Sequence, residues 1–314
     1  MKKQFLIIIV MAILISCNGP VNNKIAYPLT KKSDVVDNYF GTKVPDPYRW
    51  LEDDKSAETV VWVKEQNKVT FDYLGAIPYR QEIKLRLEKM WNFEKYTFPQ
   101  KEGIYTYFSR NDGLQNQFVV YRQKNNSDPE VFLDPNKFSA DGTTSLGEME
   151  FTKDGSKVAY SVSEGGSDWR KVIVLDAETK DIIGDTLKGI KFSGLSWQAN
   201  EGFYYSSYDK PKGSKLSAKT DHHKLYFHKL GTIQTEDKVV FGSDIVRRYV
   251  DGKVTEDGRY LVVTASVSTT GNELYIRDLR KPGNKFITVV GNFNNDHSVL
   301  DNDGSKLYIV TNLN

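Results

Sequence analysis

The feature that most limits what this chain can fold into is a repeat of glycine-opened, strand-like segments. They are Gly103-Ile104-Tyr105-Thr106-Tyr107, Gly155-Ser156-Lys157-Val158-Ala159-Tyr160, Gly202-Phe203-Tyr204-Tyr205, Gly258-Arg259-Tyr260-Leu261-Val262-Val263 and Gly304-Ser305-Lys306-Leu307-Tyr308-Ile309. Their glycines recur with a period of roughly 50 residues. Three follow aspartate, at Asp154-Gly155, Asp257-Gly258 and Asp303-Gly304. Asp-Gly favours a two-residue hairpin turn, because glycine accepts positive φ without steric penalty. Each segment but the last leads to a second strand-like run: Phe118-Val119-Val120-Tyr121, Val172-Ile173-Val174-Leu175, Lys224-Leu225-Tyr226-Phe227 and Glu273-Leu274-Tyr275-Ile276. A β-sandwich uses similar strands but does not repeat at this period, whereas a β-propeller blade does. The 12% aromatic content and 23 glycines fit strands joined by tight turns. The expectation is a mainly β chain built as a propeller.

A fifth unit opens at Asp301, and the sequence stops at Asn314. One strand of a blade can neither bury both faces nor close a ring. The sequence therefore predicts an incomplete propeller, about four and a half blades of a longer polypeptide.

Ahead of the repeats, residues 56–91 read as helical. Ser56 is the predicted N-cap, with Glu58 in the first turn where the helix dipole favours negative charge. Gly75 and Pro78 divide the segment in two. Ile83, Leu87, Met90 and Trp91 form an i, i+4, i+7, i+8 stripe, which predicts a core-facing side with Trp91 in it.

The start of the chain carries export signals. Lys2 and Lys3 precede an apolar stretch from Phe5 to Ile15, too short to span a bilayer but suited to a secretory signal. It ends Leu14-Ile15-Ser16-Cys17, which resembles a bacterial lipobox. Cys17 is the only cysteine, so no internal disulfide explains it, and thioether lipidation does; a plain signal peptide with an incidental cysteine is the alternative. Acylation would hold the protein at a membrane surface through a polar tether from Asn18 to Lys24. The predicted layout is a lipoprotein signal over 1–17, a helical segment over 18–91 and a propeller over 92–314. The predicted location is the bacterial cell envelope, periplasmic or surface-exposed.

Chemistry is harder to find. A net charge of +2 argues against a nucleic-acid partner, which needs a basic excess. No Gly-x-Ser-x-Gly elbow is present. Gly165-Gly166-Ser167-Asp168-Trp169 begins like one, but Trp169 stands where the closing glycine belongs, so Ser167 reads as part of an inter-strand loop. His222, His223 and His228 lie close in sequence without a third ligand of matching spacing, so they read as satisfied strand histidines rather than a zinc site. Asp301-Asn302-Asp303-Gly304 begins like a calcium loop that lacks its later acidic ligands. No phosphate-cradling or Rossmann glycine motif occurs. No metal, cofactor or catalytic constellation is expected in these residues.

Several motifs nevertheless have a familiar form. Phe40-Gly41-Thr42-Lys43-Val44-Pro45-Asp46-Pro47-Tyr48-Arg49-Trp50-Leu51-Glu52-Asp53 resembles the N-terminal signature of the prolyl oligopeptidases. So do Asn111-Asp112-Gly113-Leu114-Gln115-Asn116-Gln117, Val131-Phe132-Leu133-Asp134-Pro135-Asn136, Gly166-Ser167-Asp168-Trp169 and Lys191-Phe192-Ser193-Gly194-Leu195-Ser196-Trp197. The matches run in order from about Val35 to the C-terminus. The resemblance implies a serine endopeptidase that cleaves short peptides after proline and needs no cofactor. It implies a seven-bladed propeller that gates an α/β-hydrolase domain, on which the helical segment packs. The Ser, Asp and His triad would then lie beyond Asn314, leaving these residues inactive alone. It further implies that Phe192 lines the substrate cavity, ordinary blade core being the alternative, and that Asp168 meets a peptide terminus, a turn-forming role being its alternative. Ser266 and Thr269 stand where some relatives place an arginine and a cysteine near substrate, so those contacts are not expected here. The competing reading is a stand-alone propeller lipoprotein that binds peptide or protein without catalysis.

Overall fold

The computed structural model describes residues 25–125, 127–184, 186–209 and 220–313, and the apolar leader with Cys17 lies outside them. The chain divides into two compact units, one up to residue 84 and one from residue 85 onward.

In the first unit, β1 (Val36–Tyr39) and β2 (Thr42–Pro45) form a hairpin by themselves. The Arg49 guanidinium clamps it, donating to Asp37 and Asp46. Helix α1 (Ala57–Gly75) begins where the sequence places it, with Ser56 Oγ accepting from the Thr59 N–H at 3.1 Å. Helix α2 (Arg80–Trp91) follows the break at Gly75 and Pro78, and runs across the boundary into the second unit. The stripe predicted as core is not core. Ile83, Leu87, Met90 and Trp91 are all exposed, Trp91 at 65%. Apolar periodicity decides which side of a helix seeks a partner, but burial needs the partner itself.

The second unit is a series of antiparallel meanders. The first sheet holds β3 (Lys95–Tyr96), β4 (Gln100–Glu102), β5 (Tyr105–Asn111), β6 (Val119–Lys124) and β7 (Glu130–Leu133). Both β3 and β4 pair with β5; they are halves of one strand interrupted at Pro99, which has no N–H for the ladder. The second sheet holds β8 (Thr144–Phe151), β9 (Lys157–Glu164), β10 (Trp169–Asp176) and β11 (Leu187–Lys191). The third holds β12 (Leu195–Gln198), β13 (Gly202–Tyr208), β14 (His223–Lys229) and β15 (Lys238–Phe241). The fourth holds β16 (Tyr249–Val254), β17 (Tyr260–Ser266), β18 (Glu273–Asp278) and β19 (Ile287–Val290), and β20 (His297–Asp303) pairs with β21 (Lys306–Thr311). Four blade-like sheets and a two-stranded one match the predicted count, and among the described residues they do not close into a ring.

The runs singled out in the sequence are the two middle strands of each sheet. In the second and third sheets they are covered on both faces, because another sheet stacks on either side. On β13, Phe203 and Tyr205 pack with Val172, Val174, Leu187 and Trp197 of one interface. Tyr204, pointing the other way, joins Leu225, Val250, Leu261 and Val263 in the next. Each such large side chain removed from water contributes about 1.5–3 kcal/mol.

Three turn assignments change. At Asp154-Gly155 the loop has four residues, not two: the Thr152 N–H meets the Lys157 carbonyl and the Gly155 N–H meets the Thr152 carbonyl. Asp154 closes it by accepting from the Ser156 N–H and the Thr152 hydroxyl. Asp257-Gly258 repeats the pattern with Thr255, Arg259 and Tyr260. The aspartate side chain, which binds backbone locally, makes the longer loop favourable. Gly202 is no turn residue either. It begins β13, where a Cβ would land on the His228 carbonyl, and Ala199 at φ 49° takes the turn position instead.

Candidate functional site

The inner strands of the second unit bound a cavity of about 1270 Å³. Glu148 and Glu150 of β8, and Asp251 and Lys253 of β16, line it together with Glu102, Glu256 and Arg280. Alternation along β8 explains the placement, since Met149 and Phe151 point instead into the interface between the first two sheets. Loss of surrounding water along the cavity wall raises the pKa values of Glu148 and Asp251, although the Asp251 side chain stays partly open to the cavity. Glu150 is pushed up to about 7, by burial first and then by the neighbouring Glu148 carboxylate. Water reaches Glu150 through the cavity, so the shift reflects thinned solvent rather than full enclosure. The wall is thus polar and protonation-sensitive near neutrality.

At one end of the inner strands lies a rim made by the ends of β10, β11, β13 and β16. Asp168 and Phe192 both belong to it. The pairing of Trp169 with Lys191 brings the two residues together. The Lys191 ammonium stands 3.7 Å from the Asp168 carboxylate, 5.3 Å from the centre of the Trp169 ring and 4.9 Å from that of Phe192. Asp168 keeps most of its surface open, its carboxylate 61% exposed. Phe192 is not ordinary blade core. It is 47% exposed and sits at φ 53°, a left-handed conformation that lifts its ring out of the sheet. Tyr208 meets that ring edge-on at 6.3 Å and Tyr249 meets it at 5.9 Å. Two residues later, Gly194 lines the cavity and donates its N–H to Asp251 at 3.4 Å, so rim and cavity adjoin.

An aromatic trio with a salt-bridged carboxylate at a cavity mouth can grip an apolar side chain and a charged peptide terminus. It holds no nucleophile. Ser167 is a turn residue, its hydroxyl accepting from the Trp169 N–H at 3.2 Å. The three histidines are engaged as satisfied side chains: His222 with the Gly242 carbonyl, His223 with Lys191 and Val250, and His228 with Asp237. Asn302, in the calcium-like run, donates to Asp257 of the neighbouring turn. Sequence reasoning missed Lys191, Tyr208 and Tyr249 as rim residues. Lys191 lay inside the quoted motif, but the tyrosines come from distant strands and no local pattern marks them.

Residues 27–314 match the family described as prolyl oligopeptidase, N-terminal beta-propeller domain. A prolyl endopeptidase of Elizabethkingia meningoseptica is 55% identical over 292 residues, covering 92% of this chain and 41% of the relative. That of Elizabethkingia miricola is 53% identical over 317 residues, covering 100% of this chain and 45% of the relative. The chain thus spans less than half the length of these relatives. Among solved structures, prolyl oligopeptidase B from Galerina marginata, bound to a 35mer hydrolysis and macrocyclization substrate, superposes with a TM-score of 0.77 at 29% identity, over 91% of this chain and 44% of that one. With its blades, its rim and this match along nearly all its length, the chain belongs to the prolyl oligopeptidase family.

Proposed function

We propose that residues 1–314 are the propeller-bearing portion of an exported prolyl endopeptidase that hydrolyses short peptides on the carboxyl side of proline. The observation that carries this reading is the rim, where half-exposed Phe192 and open Asp168 flank Lys191 at the mouth of a polar cavity. Catalysis falls to a serine, histidine and acidic residue outside these residues. The serine attacks the carbonyl after proline, the histidine carries its proton to the leaving amine, and the acid orients the histidine. The blades admit short peptides and keep bulk water from the reacting carbonyl. Phe192 supplies an apolar contact upstream of the scissile bond, and Asp168 a partner for a peptide ammonium. The exposed faces of α1 and α2 find their partner on an α/β-hydrolase domain in cis.

Cys17 is the attachment point of a lipid anchor that keeps the enzyme on a membrane of the cell envelope. The Ser16-Cys17 junction after a short apolar stretch supports this.

The deciding experiment is the intact mass and activity of the gene product from the membrane fraction of its source. A mass well above 35.8 kDa, with cleavage of a Gly-Pro amide abolished by a serine-directed phosphonate, is the expected result. A mass equal to residues 17–314 plus lipid, without cleavage, overturns catalysis in favour of a peptide-binding lipoprotein. Cys17→Ala is expected to release the protein from membranes; continued sedimentation with them refutes the anchor.

A further inference from the structure

His223 is fully buried at the start of β14, and its imidazole contacts Tyr208 and the backbone of Lys191 and Val250, the residues beside Phe192 and Tyr249 in the chain. The Val250 N–H donates to Nδ1 at 2.9 Å, so Nδ1 carries no proton. The proton is therefore on Nε2, which donates to the Lys191 carbonyl at 2.9 Å. Lys191 directly precedes Phe192, and Val250 directly follows Tyr249, whose ring packs on Phe192. The imidazole face stacks on the third member, Tyr208, at 4.3 Å and 26°. Tyr208 is tied in turn by its hydroxyl, which donates to the Arg248 carbonyl at 2.6 Å. The His223 backbone N–H reaches the Arg247 carbonyl at 2.8 Å.

These bonds join three successive sheets, with Lys191 on the second, Tyr208 and His223 on the third and Val250 on the fourth. Phe192 needs such support. Its φ of 53° is costly for a residue with a Cβ, and its ring, about half exposed, is not held by core packing. On its other side, Ser193 Oγ accepts from the Ser206 N–H at 2.7 Å, fixing the residue that follows.

We propose that His223 is the positioning residue of the substrate rim: a neutral, doubly hydrogen-bonded imidazole that sets the height and tilt of the Phe192 ring by holding Lys191, Tyr208 and the Tyr249-Val250 strand together. This rests on the reading of Phe192 as a substrate contact. His223 itself touches no substrate, so its loss weakens binding while the chemical step proceeds.

The test is kinetic, in the full-length enzyme that the proposed function requires, on a short Gly-Pro amide. His223→Leu fills the site but leaves the Lys191 carbonyl and the Val250 N–H unpaired. It is expected to raise KM about tenfold with kcat within about twofold, the pattern of lost ground-state binding. His223→Gln offers a donor and an acceptor on one carboxamide and is expected to stay within about threefold of wild-type KM. Phe192→Ala raises KM similarly, and the double variant His223→Leu, Phe192→Ala is no worse than Phe192→Ala alone, because both act through one ring. Should His223→Leu fail to fold, His223→Asn decides, a shorter carboxamide expected to raise KM about threefold.

Wild-type KM in the folded variant, a fall in kcat at unchanged KM, or additive effects in the double variant each overturn the positioning role. Unchanged KM in Phe192→Ala overturns the substrate reading itself, and His223's role with it. A raised KM in Phe192→Ala beside a wild-type KM in His223→Leu overturns the role alone.

Discussion

The helices α1 and α2 and the middle strands of the sheets both carry dense apolar residues, and those residues meet opposite fates. On β13 every residue from Gly202 to Tyr208 is buried. On the helices Val61, Phe71, Leu87 and Trp91 stand exposed. Two tryptophans make the contrast concrete: Trp197 is 8% exposed and donates its indole N–H to the Glu150 carbonyl at 2.8 Å, while Trp91 is 65% exposed. A strand between two stacked sheets has partners on both faces from its own repeat. A helix with one apolar side depends on a surface that its own period cannot supply. Hydrophobic pattern therefore states a requirement, and repetition along the chain is what meets it here.

The largest expected effect tests that contrast directly. Phe203→Ala is expected to cost about 3–5 kcal/mol in the 314-residue chain, through lost burial and the cavity left between the second and third sheets. Leu87→Ala is expected to stay within about 0.5 kcal/mol in the same chain. Thermal unfolding of both variants checks it, and equal losses would break the distinction between the regions.

The next effect is pH-dependent and confined to the blades. Burial pushes the His223 imidazole down to about 4 from an ordinary 6.5, so the unfolded chain takes up the proton first. The stability contributed by this group is complete above pH 6.5 and drains away as pH falls toward 4, by about 3 kcal/mol. Glu150 acts with the opposite sign, because its raised pKa means that stability increases as pH falls from about 7 toward 4.5. The urea midpoint of wild type minus that of His223→Gln, followed from pH 7.5 to 4, separates the two. A difference independent of pH would show that the imidazole is not held neutral.

Gly202→Ala probes how tightly neighbouring strands of one sheet approach. Its new Cβ would meet the His228 carbonyl, and a loss of about 1–3 kcal/mol in chemical denaturation is expected. A neutral outcome would mean that the third sheet yields more readily than its burial implies.

The smallest effect is at the rim. Asp168→Asn removes the solvent-open member of a pair whose Lys191 side chain is largely covered, so stability should move by no more than about 1 kcal/mol. KM for a peptide with a free amino terminus should nevertheless rise in the full-length enzyme, while that of an N-blocked peptide holds. Equal KM changes for both peptides would break the assignment of Asp168 to a terminus.

Much of the blade architecture was legible because β9, β13 and β17 announce themselves as runs such as Gly202-Phe203-Tyr204-Tyr205. Edge strands were not. On β11, Leu187 and Ile190 are buried, but Lys188, Gly189 and Lys191 interrupt them, and a five-residue strand with two lysines has no clear period. Asp303-Gly304 has the expected two-residue loop, with Asp303 opposite Lys306, whereas Asp154-Gly155 and Asp257-Gly258 sit in four-residue loops because a threonine two residues ahead of each aspartate donates its hydroxyl to that carboxylate. The rim was legible only through the motifs around Asp168 and Phe192. His223 read as a strand histidine, which it is. Its partners Lys191 and Val250 lie 32 and 27 positions away, and no local pattern encodes such distances.

The sequence by itself determined the repeat, the middle strands, the helix start at Ser56 and the family, because each depends on residues close together or on motifs kept in order. Only the tertiary structure decided which apolar faces are covered, which glycine is kept for a turn and which for a close approach, and how Phe192 is held. Those outcomes depend on what the neighbouring sheet brings to the same place, and a linear pattern specifies the request for a neighbour without specifying the neighbour.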